Sequence, residues 1–287
     1  MRRLGIVAFR ETSVVLVPEG VGTITIRGCA ESDPFIFGQL QRGEMFEPHV
    51  LAALRALIVP GSVFVDVGAN IGLFSVCGGI LAGRDGRVLA VEPDLANVRL
   101  LRHNLRRNGI AGATIYPVAA SDHDGHGTLA RSGQNAGDHR LGSRTMRDDA
   151  VDVDTRRLDG LVPAVANTTL VVKLDIQGSE TAALHGMAGL FAAPSILRVI
   201  VEFWPHGLAD CGSSASALAH MLDRHFDHLW ILWRHRGPQA TTVEELVHMS
   251  ETNLAPDTQM FVDVVALRAA DRAGSDAMAA LASAPPG

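Results

Sequence analysis

Lysine is almost missing from this sequence. Of its 25 basic residues only Lys173 is a lysine, and the formal net charge is −6. A phosphate-binding P-loop requires a Gly-Lys-Ser/Thr run, so this class of nucleotide site is excluded. Nucleic-acid binding requires a concentrated basic surface, which this charge balance does not provide. We therefore predict that the partner is not a nucleic acid.

Cysteine and long apolar runs are also scarce. The three cysteines stand far apart without the spacing of metal ligands, and their odd number argues against a disulfide framework. The apolar stretch over residues 4–9 is too short for a signal peptide. A longer stretch, 187–204, is interrupted by a proline and two charged residues, so it does not predict a membrane span. These absences favour a cytoplasmic protein without a membrane partner.

What remains is the composition of a globular α/β chain. The 287 residues are 47% apolar and 20% charged, which is enough for one large domain. Buried strands are predicted at residues 63–67, 87–91, 114–118, 170–174 and 197–201. Helices are predicted around and between them at residues 46–59, 72–81, 95–108 and 179–190. Continuously apolar strands separated by helices predict a parallel sheet covered on both faces.

Segments with other patterns flank this core. Two short strands predict an N-terminal hairpin or cap within residues 1–45, followed by the main domain over 46–268. Residues 123–149 are polar without a clear element, which predicts a functional or mobile segment. Residues 269–287 have little periodicity and are predicted to be a disordered tail. Later strands are predicted at residues 229–233 and 260–267.

A glycine-containing loop joins the first main strand to its helix. It carries Asp66, Gly68, Asn70 and Gly72 at the carboxyl end of a buried strand, where open α/β sheets bind ligands. Glu92 ends the next strand, at the spacing expected for a carboxylate that binds ribose hydroxyls. A dinucleotide and S-adenosylmethionine are the alternatives. Asp66 would repel a pyrophosphate and suits the cationic end of S-adenosylmethionine, so the charge pattern favours the latter.

Four segments in one colinear series carry a family resemblance. The chain resembles the FkbM family of S-adenosylmethionine-dependent methyltransferases in FEPHVLAALRALIVPGSVFVDVGANIGLFS, VLAVEPDLANVRLLRHNLRRNG, PVAASDHDG and VVKLDIQGSE. The resemblance implies a Rossmann-like class I methyltransferase fold, with a seven-stranded, mostly parallel sheet and helices on both faces. It also implies O-methylation of a hydroxyl on a small molecule, such as a sugar, a polyketide or another secondary metabolite.

The resemblance implies roles for individual residues as well. The methionine end of the cofactor would be surrounded by Asp66, Gly68, Ala69, Asn70 and Gly72. Glu92 would bind the ribose, and Ser121 with Asp122 would border the adenine. Asp175 would face the methyl-transfer centre. The family usually has a glutamate where Gln177 stands, which is a departure of this sequence from the pattern.

Acids at the ends of two adjacent strands are the main catalytic candidates. Asp175 and Glu202 would lie together, where one can serve as a base or both can bind a Mg²⁺ ion that lowers the acceptor's pKa. A third ligand is not evident, so a divalent metal is not favoured. His206, on the loop after Glu202, is a further candidate base, and His139 is a weaker one.

The remaining chemistry-bearing residues are predicted to be structural. Side chains alternate along a strand, so Lys173 should lie one layer beneath Asp175 and balance the charges of Asp175, Asp66 and Glu202. A group of histidines is predicted to form the polar face of one helix and not a metal site: His220, His225 and His228.

Two other function classes fit the same residues. A nucleoside-binding or scaffold protein would keep the pocket without turnover, which is consistent with Gln177. A nicotinamide-dependent oxidoreductase would use the glycine loop for NAD. We favour the O-methyltransferase, and leave open the acceptor and the oligomeric state, for which a homodimer is one alternative.

Overall fold

The computed structural model describes residues 10–110, 112–132, 135, 137–145, 149–163, 168–193 and 196–284. The strands are β1 (Thr12–Leu16), β2 (Ile24–Gly28), β3 (Val63–Val67), β4 (Arg87–Val91), β5 (Thr114–Tyr116), β6 (Ala119–Ala120), β7 (Gly125–Ala130), β8 (Arg140–Leu141), β9 (Ala150–Arg156), β10 (Thr169–Leu174), β11 (Ile196–Phe203), β12 (His228–Leu232), β13 (Gln239–Thr241) and β14 (Val262–Leu267). The helices are α1 (Ile36–Gln41), α2 (Pro48–Leu57), α3 (Leu73–Ala82), α4 (Leu95–Arg107), α5 (Leu158–Leu161), α6 (Glu180–His185), α7 (Ala188–Ala192), α8 (Pro205–Asp210), α9 (Ala215–His225), α10 (Val243–Glu251) and α11 (Arg272–Ser283), with a 3-10 turn at Pro256–Thr258.

Eight strands form the central sheet, in the order β13-β12-β14-β11-β10-β3-β4-β5. The five strands from β11 to β5 are mutually parallel, whereas β14 runs antiparallel between β11 and β12. The chain proceeds outward from β3 to β5 on one side and from β10 to β11 on the other. The strand order therefore reverses between β3 and β10, and such a reversal opens a crevice beyond the carboxyl ends of the strands.

Alternate side chains of the central strands enter two separate cores. In β3, Val63, Val65 and Val67 pack on one face of the sheet and Phe64 on the other, each 3% exposed or less. Helices α6, α9 and α10 cover the first face, and α2, α3, α4 and α11 cover the second. Burial on both faces explains why these strands are continuously apolar and do not alternate. No helix in the described part of the chain is long and apolar enough to span a membrane.

The N-terminal hairpin of β1 and β2 is attached to α4 by two asparagines. Asn108 exchanges two hydrogen bonds of 2.8 Å with the backbone of Thr25. Asn104 accepts from the N–H of Arg27 at 2.8 Å and donates to its carbonyl at 2.9 Å. Asn104 also donates to the carbonyl of Ile71, at 2.8 Å. The two side-chain amides form hydrogen bonds with the backbone N–H and carbonyl groups of β2, as a neighbouring strand would. Asn104 also connects the hairpin to the glycine loop.

The class I methyltransferase fold is confirmed, with one more strand than predicted. The eighth strand, β13, pairs antiparallel with β12 at the edge of the sheet. It has only three residues, too few to show a periodic pattern in the sequence.

The polar stretch from residue 123 to 149 was wrongly predicted to lack regular structure. Strands β7 and β9 pair antiparallel over six residues, and with β6 and β8 they form a separate four-stranded sheet. One face of β7 is solvated at His126 and Thr128, and the other face begins with two glycines, so the strand has no apolar run. Backbone hydrogen bonds therefore build these strands with little help from hydrophobic patterning.

The prediction of a disordered C-terminal tail is wrong for α11. Asp271 caps the helix by accepting from the N–H of Gly274 at 2.9 Å, and its carboxylate pairs with Arg198 at 2.6 Å. Met278 is fully buried in the core. A single buried methionine and one buried ion pair are enough to fix an otherwise polar, alanine-rich helix. Residues 285–287, and residues 1–9 of the predicted cap, lie outside the described residues.

Two helical predictions also need correction. The segment 179–190 does not form one helix, because α6 ends at His185 and α7 begins at Ala188 after a turn. The three histidines do not share a helix either. His220 and His225 lie on α9, but His228 is the first residue of β12. His225 stacks on Phe191 with 3.9 Å between the ring centroids.

Candidate active site

The loop that follows β3 turns tightly against the loop that follows β10. Gly68 has a φ of +82°, and a Cβ added there would lie 1.8 Å from the backbone oxygen of Asp175. Glycine is therefore required both by the left-handed backbone and by the close approach. The N–H groups of Gly68 and Ala69 donate to the carbonyl of Val91 at 2.9 and 3.1 Å. These contacts fix the loop to the ends of β4 and β10.

Glu92 organises the same edge of the sheet from a buried position. Its Oε2 accepts from the N–H of Asn70 at 2.9 Å, and its Oε1 accepts from the N–H of Asp94 at 2.9 Å. Burial raises the pKa of Glu92 to about 7, although the two backbone N–H groups oppose this. Oε1 also accepts from the Asn97 side chain at 3.5 Å, whereas Oε2 retains a further lone pair. Because Glu92 lines a cleft beyond the strand ends, it can accept the hydroxyls of a ribose.

Lys173 and Gln177 hold the carboxylate of Asp175 from two sides. Lys173 Nζ lies 2.7 Å from Asp175 Oδ2, and Gln177 Nε2 lies 2.7 Å from Oδ1. The same Gln177 nitrogen donates to Glu202 Oε2 at 3.1 Å. The two acids predicted to meet at the strand ends are therefore joined by an amide that lies between them.

Lys173 lies beneath the strand ends, as predicted, with 3% of its side chain exposed. Burial opposes its charge, but the carboxylates of Asp175, Asp66 and Glu47 outweigh burial and raise the pKa of Lys173 above its usual value. Its ammonium also lies 4.9 Å from the centre of the Phe74 ring. The prediction gave Glu202 as the third acid near Lys173. In the structure the third acid is Glu47.

Burial shifts the pKa of two acids at this edge of the sheet. Burial, reinforced by the charge of Asp175, raises the pKa of Glu202 well above its usual value. Burial and the charge of Asp263 do the same for Glu47. Both shifts favour the protonated form of the carboxyl group, which argues against Glu202 as a base. Asp175 lines the cleft with 20% of its side chain exposed, so it is the acid that a ligand can reach.

Glu180 fixes the loop that carries Gln177. Its fully buried carboxyl group accepts from the N–H groups of Ile176 and Gly178 at 3.0 Å. Burial raises the pKa of Glu180 to about 7. The loop conformation that presents Gln177 to both acids therefore depends on one buried carboxyl group.

The Glu180→Gln variant is expected to change how stability depends on pH. A pKa raised by folding stabilises the protein fully below the unfolded value and loses this stabilisation as pH rises through about 7. The loss for wild type is about 3 kcal/mol, and the variant lacks it. Urea unfolding from about pH 5 to about pH 8 should therefore show that the difference between the free energies of unfolding of the two proteins decreases as pH rises. A difference in the free energy of unfolding that stays constant across this range would contradict the raised pKa of Glu180.

Residues of the small sheet form a roof over the cleft. Arg131, at the end of β7, donates to Asp94 at 2.8 Å, and Arg140 of β8 donates to Asp210 of α8 at 3.2 Å. Between these anchors the cleft is lined by Gly137, His139 and Leu141. The free volume beneath the roof is about 50 Å³, whereas small-molecule sites usually enclose roughly 300 Å³ or more. In this conformation the cleft is therefore narrower than a nucleoside requires.

Comparison with known proteins identifies this arrangement. A family model described as "Methyltransferase FkbM domain" matches residues 66–231. The chain belongs to the FkbM methyltransferase family. The predicted family is thereby confirmed, and with it S-adenosylmethionine as the cofactor.

More distant relatives are methyltransferases as well. A curated protein of Sulfolobus acidocaldarius, described as "Probable cobalt-precorrin-6B C(15)-methyltransferase (decarboxylating)", is 27% identical over 160 residues, which are 54% of this chain and 75% of the relative. A SAM-dependent O-methyltransferase from Thermotoga maritima has a TM-score of 0.43 at 10% identity, covering 87% of this chain and 75% of that one. Fibrillarin from Aeropyrum pernix, with bound S-adenosyl-L-methionine, has a TM-score of 0.40 at 11% identity, covering 76% and 73%.

The cofactor residues implied by the FkbM resemblance divide into two groups. Gly68, Asn70 and Glu92 line the cleft, as does Asp175. Other loop residues, Asp66, Ala69 and Gly72, do not line it. Asp66 is buried and accepts from Ser75 Oγ at 2.6 Å. At the side expected for adenine, the wall consists of Ala119 and Ala120, and the next two residues, Ser121 and Asp122, lie outside the lining.

The catalytic candidates of this FkbM protein are not all brought together. Glu202 lies behind Gln177, and His206 is outside the cleft lining, with its Nδ1 2.9 Å from the carbonyl of Pro256. His139 does line the cleft, and burial lowers its pKa, so its imidazole is neutral.

Several site residues were missed by sequence reasoning. Asn97 lines the cleft, and its side chain lies 3.5 Å from Glu92. Glu47 precedes a helix proline, a position that usually indicates an exposed cap, yet it is 6% exposed with a φ of +44°. The FEPH motif that contains Glu47 was the available signal. Gln177 was noted only as a departure from the family, although it bridges the two acids.

In the described part of the chain, two buried acids outside the cleft lining leave carboxyl oxygens unpaired. One carboxyl oxygen of Asp66 and one of Glu47 are buried without a hydrogen-bond partner among the described residues. An ammonium or sulfonium group nearby would stabilise the charged form of such acids. Within the described ranges, no group of three or more His, Cys, Asp or Glu side chains is arranged to hold a metal ion.

Proposed function

We propose that this protein transfers the methyl group of S-adenosylmethionine to a hydroxyl oxygen of a small molecule. The observation that supports this is the position of Asp175, a cleft-lining carboxylate anchored by Lys173 and Gln177. Each of its oxygens has a lone pair that these two contacts do not use. A carboxylate held in this way can accept the hydrogen of an acceptor hydroxyl and aim its oxygen at the cofactor.

The chain's own residues would divide the work between binding and orientation. Glu92 would hold the ribose hydroxyls, and the loop from Gly68 to Gly72 would lie beside the methionine end. S-adenosylmethionine supplies a methyl group already activated by positive sulfur. Asp175 would orient the acceptor and take its proton, while Lys173 and Gln177 hold this carboxylate in place. The roof that carries His139 would exclude water from the closed site.

The nature of the methylated atom is the direct test. The protein would be incubated with carbon-13-methyl S-adenosylmethionine and separate pools of sugars, macrolactones, phenolic acids, corrin precursors and RNA. We expect label in a methyl ether, recognised by the chemical shift of its carbon. Label attached to carbon, or incorporation only into RNA, would contradict the proposal.

The Asp175→Asn variant tests the role of the carboxylate. The amide keeps the shape but is a much weaker proton acceptor, so we expect kcat to fall about 100-fold. Affinity for S-adenosylhomocysteine, measured by calorimetry, should change less than about threefold, since the cofactor is held by other residues. Asp152→Asn, on the exposed side of β9, is the matched control. Unchanged kcat in Asp175→Asn would remove this residue from the mechanism.

A nucleoside-binding protein without turnover is the second candidate. It is favoured by the neutral amide of Gln177 between the acids and by the raised pKa of Glu202, which makes this carboxyl group a poor base. Tight binding of S-adenosylmethionine with no methyl transfer to any of the pools would support this candidate over the enzyme.

A further inference from the structure

A second cavity opens at the same edge of the sheet, beyond β11. We call it the β12–β14 cavity, because it is lined by the carboxyl end of β12 and the segment that enters β14. Its volume is about 580 Å³, which is within the range of small-molecule sites. Its apolar wall consists of Leu232, Trp233, Leu254, Met260, Phe261 and Val262. The wall lies outside the FkbM family match, and none of its residues is among the proposed cofactor residues.

The cavity is connected to the cofactor cleft through the acid cluster. Asp263 lines the cavity and lies opposite Glu202 in the register of β14 and β11. Glu202 in turn contacts Gln177, which contacts Asp175 in the cleft. A molecule in the cavity therefore has its inner end at the acids that surround the methyl-transfer centre.

His49 gives this inner end a polar atom without a partner. Its ring is 8% exposed, and its Nε2 lies 2.9 Å from Asp263 Oδ2. In the neutral tautomer that donates Nε2–H to this carboxylate, Nδ1 is an acceptor. Nδ1 is buried and has no hydrogen-bond partner among the described residues. Because a buried unpaired polar atom is costly, this nitrogen points to a ligand that donates a hydrogen bond.

Two arginines stand at the outer end, each held by an aromatic ring. The Arg234 guanidinium lies 4.6 Å from the centre of the Phe261 ring, and that of Arg236 lies 4.2 Å from the Trp233 ring. Stacking fixes the plane of a guanidinium and leaves its N–H edge open to a carboxylate. Arg234 has Glu47 at 3.8 Å, but no described acid lies within 4.0 Å of Arg236.

We propose that the β12–β14 cavity binds the methyl acceptor, and that the acceptor is an apolar hydroxy acid. Its carboxylate pairs with Arg236, and its aromatic or aliphatic body fills the apolar wall. Its hydroxyl binds first at the inner end, where His49 Nδ1 accepts its hydrogen bond, and it reaches Asp175 for methyl transfer by moving past Glu202 and Gln177. This inference names the substrate class of the methyltransferase and rests on the proposed function.

Binding of three matched probes tests the inference. Para-hydroxyphenylpropanoate, its neutral amide and phenylpropanoate would be titrated by calorimetry into the protein saturated with S-adenosylhomocysteine. We expect the hydroxy acid to bind roughly tenfold more tightly than either analogue, since each analogue lacks one polar contact. Arg236→Ala should abolish the preference for acid over amide, while Arg106→Ala, an exposed arginine on α4, should preserve it.

The outcomes separate this inference from the function on which it rests. Equal binding of all three probes, no binding, or an unchanged preference in Arg236→Ala would overturn the cavity assignment. Methyl transfer to the acceptor pools tests the proposed function independently of these probes. His49→Asn should weaken binding of the hydroxy acid without affecting binding of phenylpropanoate. Should that buried variant fail to fold, the exposed Arg236 variant still decides the question.

Discussion

Replacing Lys173 with methionine is expected to destabilise the protein by roughly 3–5 kcal/mol, as measured for buried ion pairs that lose one partner. The ammonium is 3% exposed and contacts Asp175 at 2.7 Å. Its field also compensates the buried carboxyl groups of Asp66 and Glu47. Methionine matches the length of the lysine stem, so the loss is mainly one of charge. The measurement is urea unfolding of both proteins at neutral pH.

The pH dependence of this effect distinguishes charge from packing. Without Lys173 the neighbouring acids can become neutral by taking up protons, and this is easier at low pH. The destabilisation should therefore be smaller at about pH 5 than at about pH 8. Lys173→Arg, which keeps the charge, should recover part of the stability. A Lys173→Met protein as stable as wild type, or equally destabilised at both pH values, would contradict the electrostatic role.

Replacing Gly68 with alanine is expected to have a comparable effect and to impair cofactor binding. The new Cβ would lie 1.8 Å from the Asp175 carbonyl oxygen, which is backbone and has little freedom to move. The strained φ contributes roughly 1 kcal/mol, and displacement of the β10 loop adds about 1–3 kcal/mol. Because Gly68 itself lines the cofactor cleft and its N–H is bonded to the end of β4, affinity for S-adenosylhomocysteine should fall at least about tenfold.

Gly61→Ala is the matched control for Gly68→Ala. Gly61 has a similar φ of +86°, but no atom lies within 4 Å of an added Cβ. The control therefore measures only the cost of placing alanine at a positive φ, about 1 kcal/mol, and the Gly61→Ala protein should bind the cofactor normally. If both variants lost the same stability and Gly68→Ala kept its affinity, the contact between the two loops would not matter for the site.

The parts of this fold that follow from local pattern were predictable from the sequence. Strands β3, β4 and β10 are buried on both faces, so they appear as apolar runs, and Asp66, Glu92 and Asp175 could be placed near their ends. Strand β13 and helix α11 were not predicted. The first has three residues, and the second depends on the pairing of Asp271 with Arg198, 73 positions away.

The electrostatic state of the site could not be predicted in the same way. Sequence spacing brought Asp175 and Glu202 together, but it gave no sign that Gln177 would lie between them. The raised pKa of Glu202 depends on burial and on acids from three other segments. His49 and Asp263 are 214 positions apart, so their pairing is visible only in the folded chain.

Calorimetric titration of S-adenosylhomocysteine tests the central claim most directly, since the cleft at the ends of β3, β4 and β10 is assigned to this nucleoside. Wild type should bind it and should not bind NAD(H). Glu92→Gln should bind roughly tenfold to 100-fold more weakly, because an oxygen that accepts the ribose hydroxyls is replaced by an amide nitrogen that can only donate. Glu251→Gln, an exposed change on α10, should bind like wild type. Equal affinity of wild type and Glu92→Gln, or binding of NAD(H) in place of S-adenosylhomocysteine, would contradict the account.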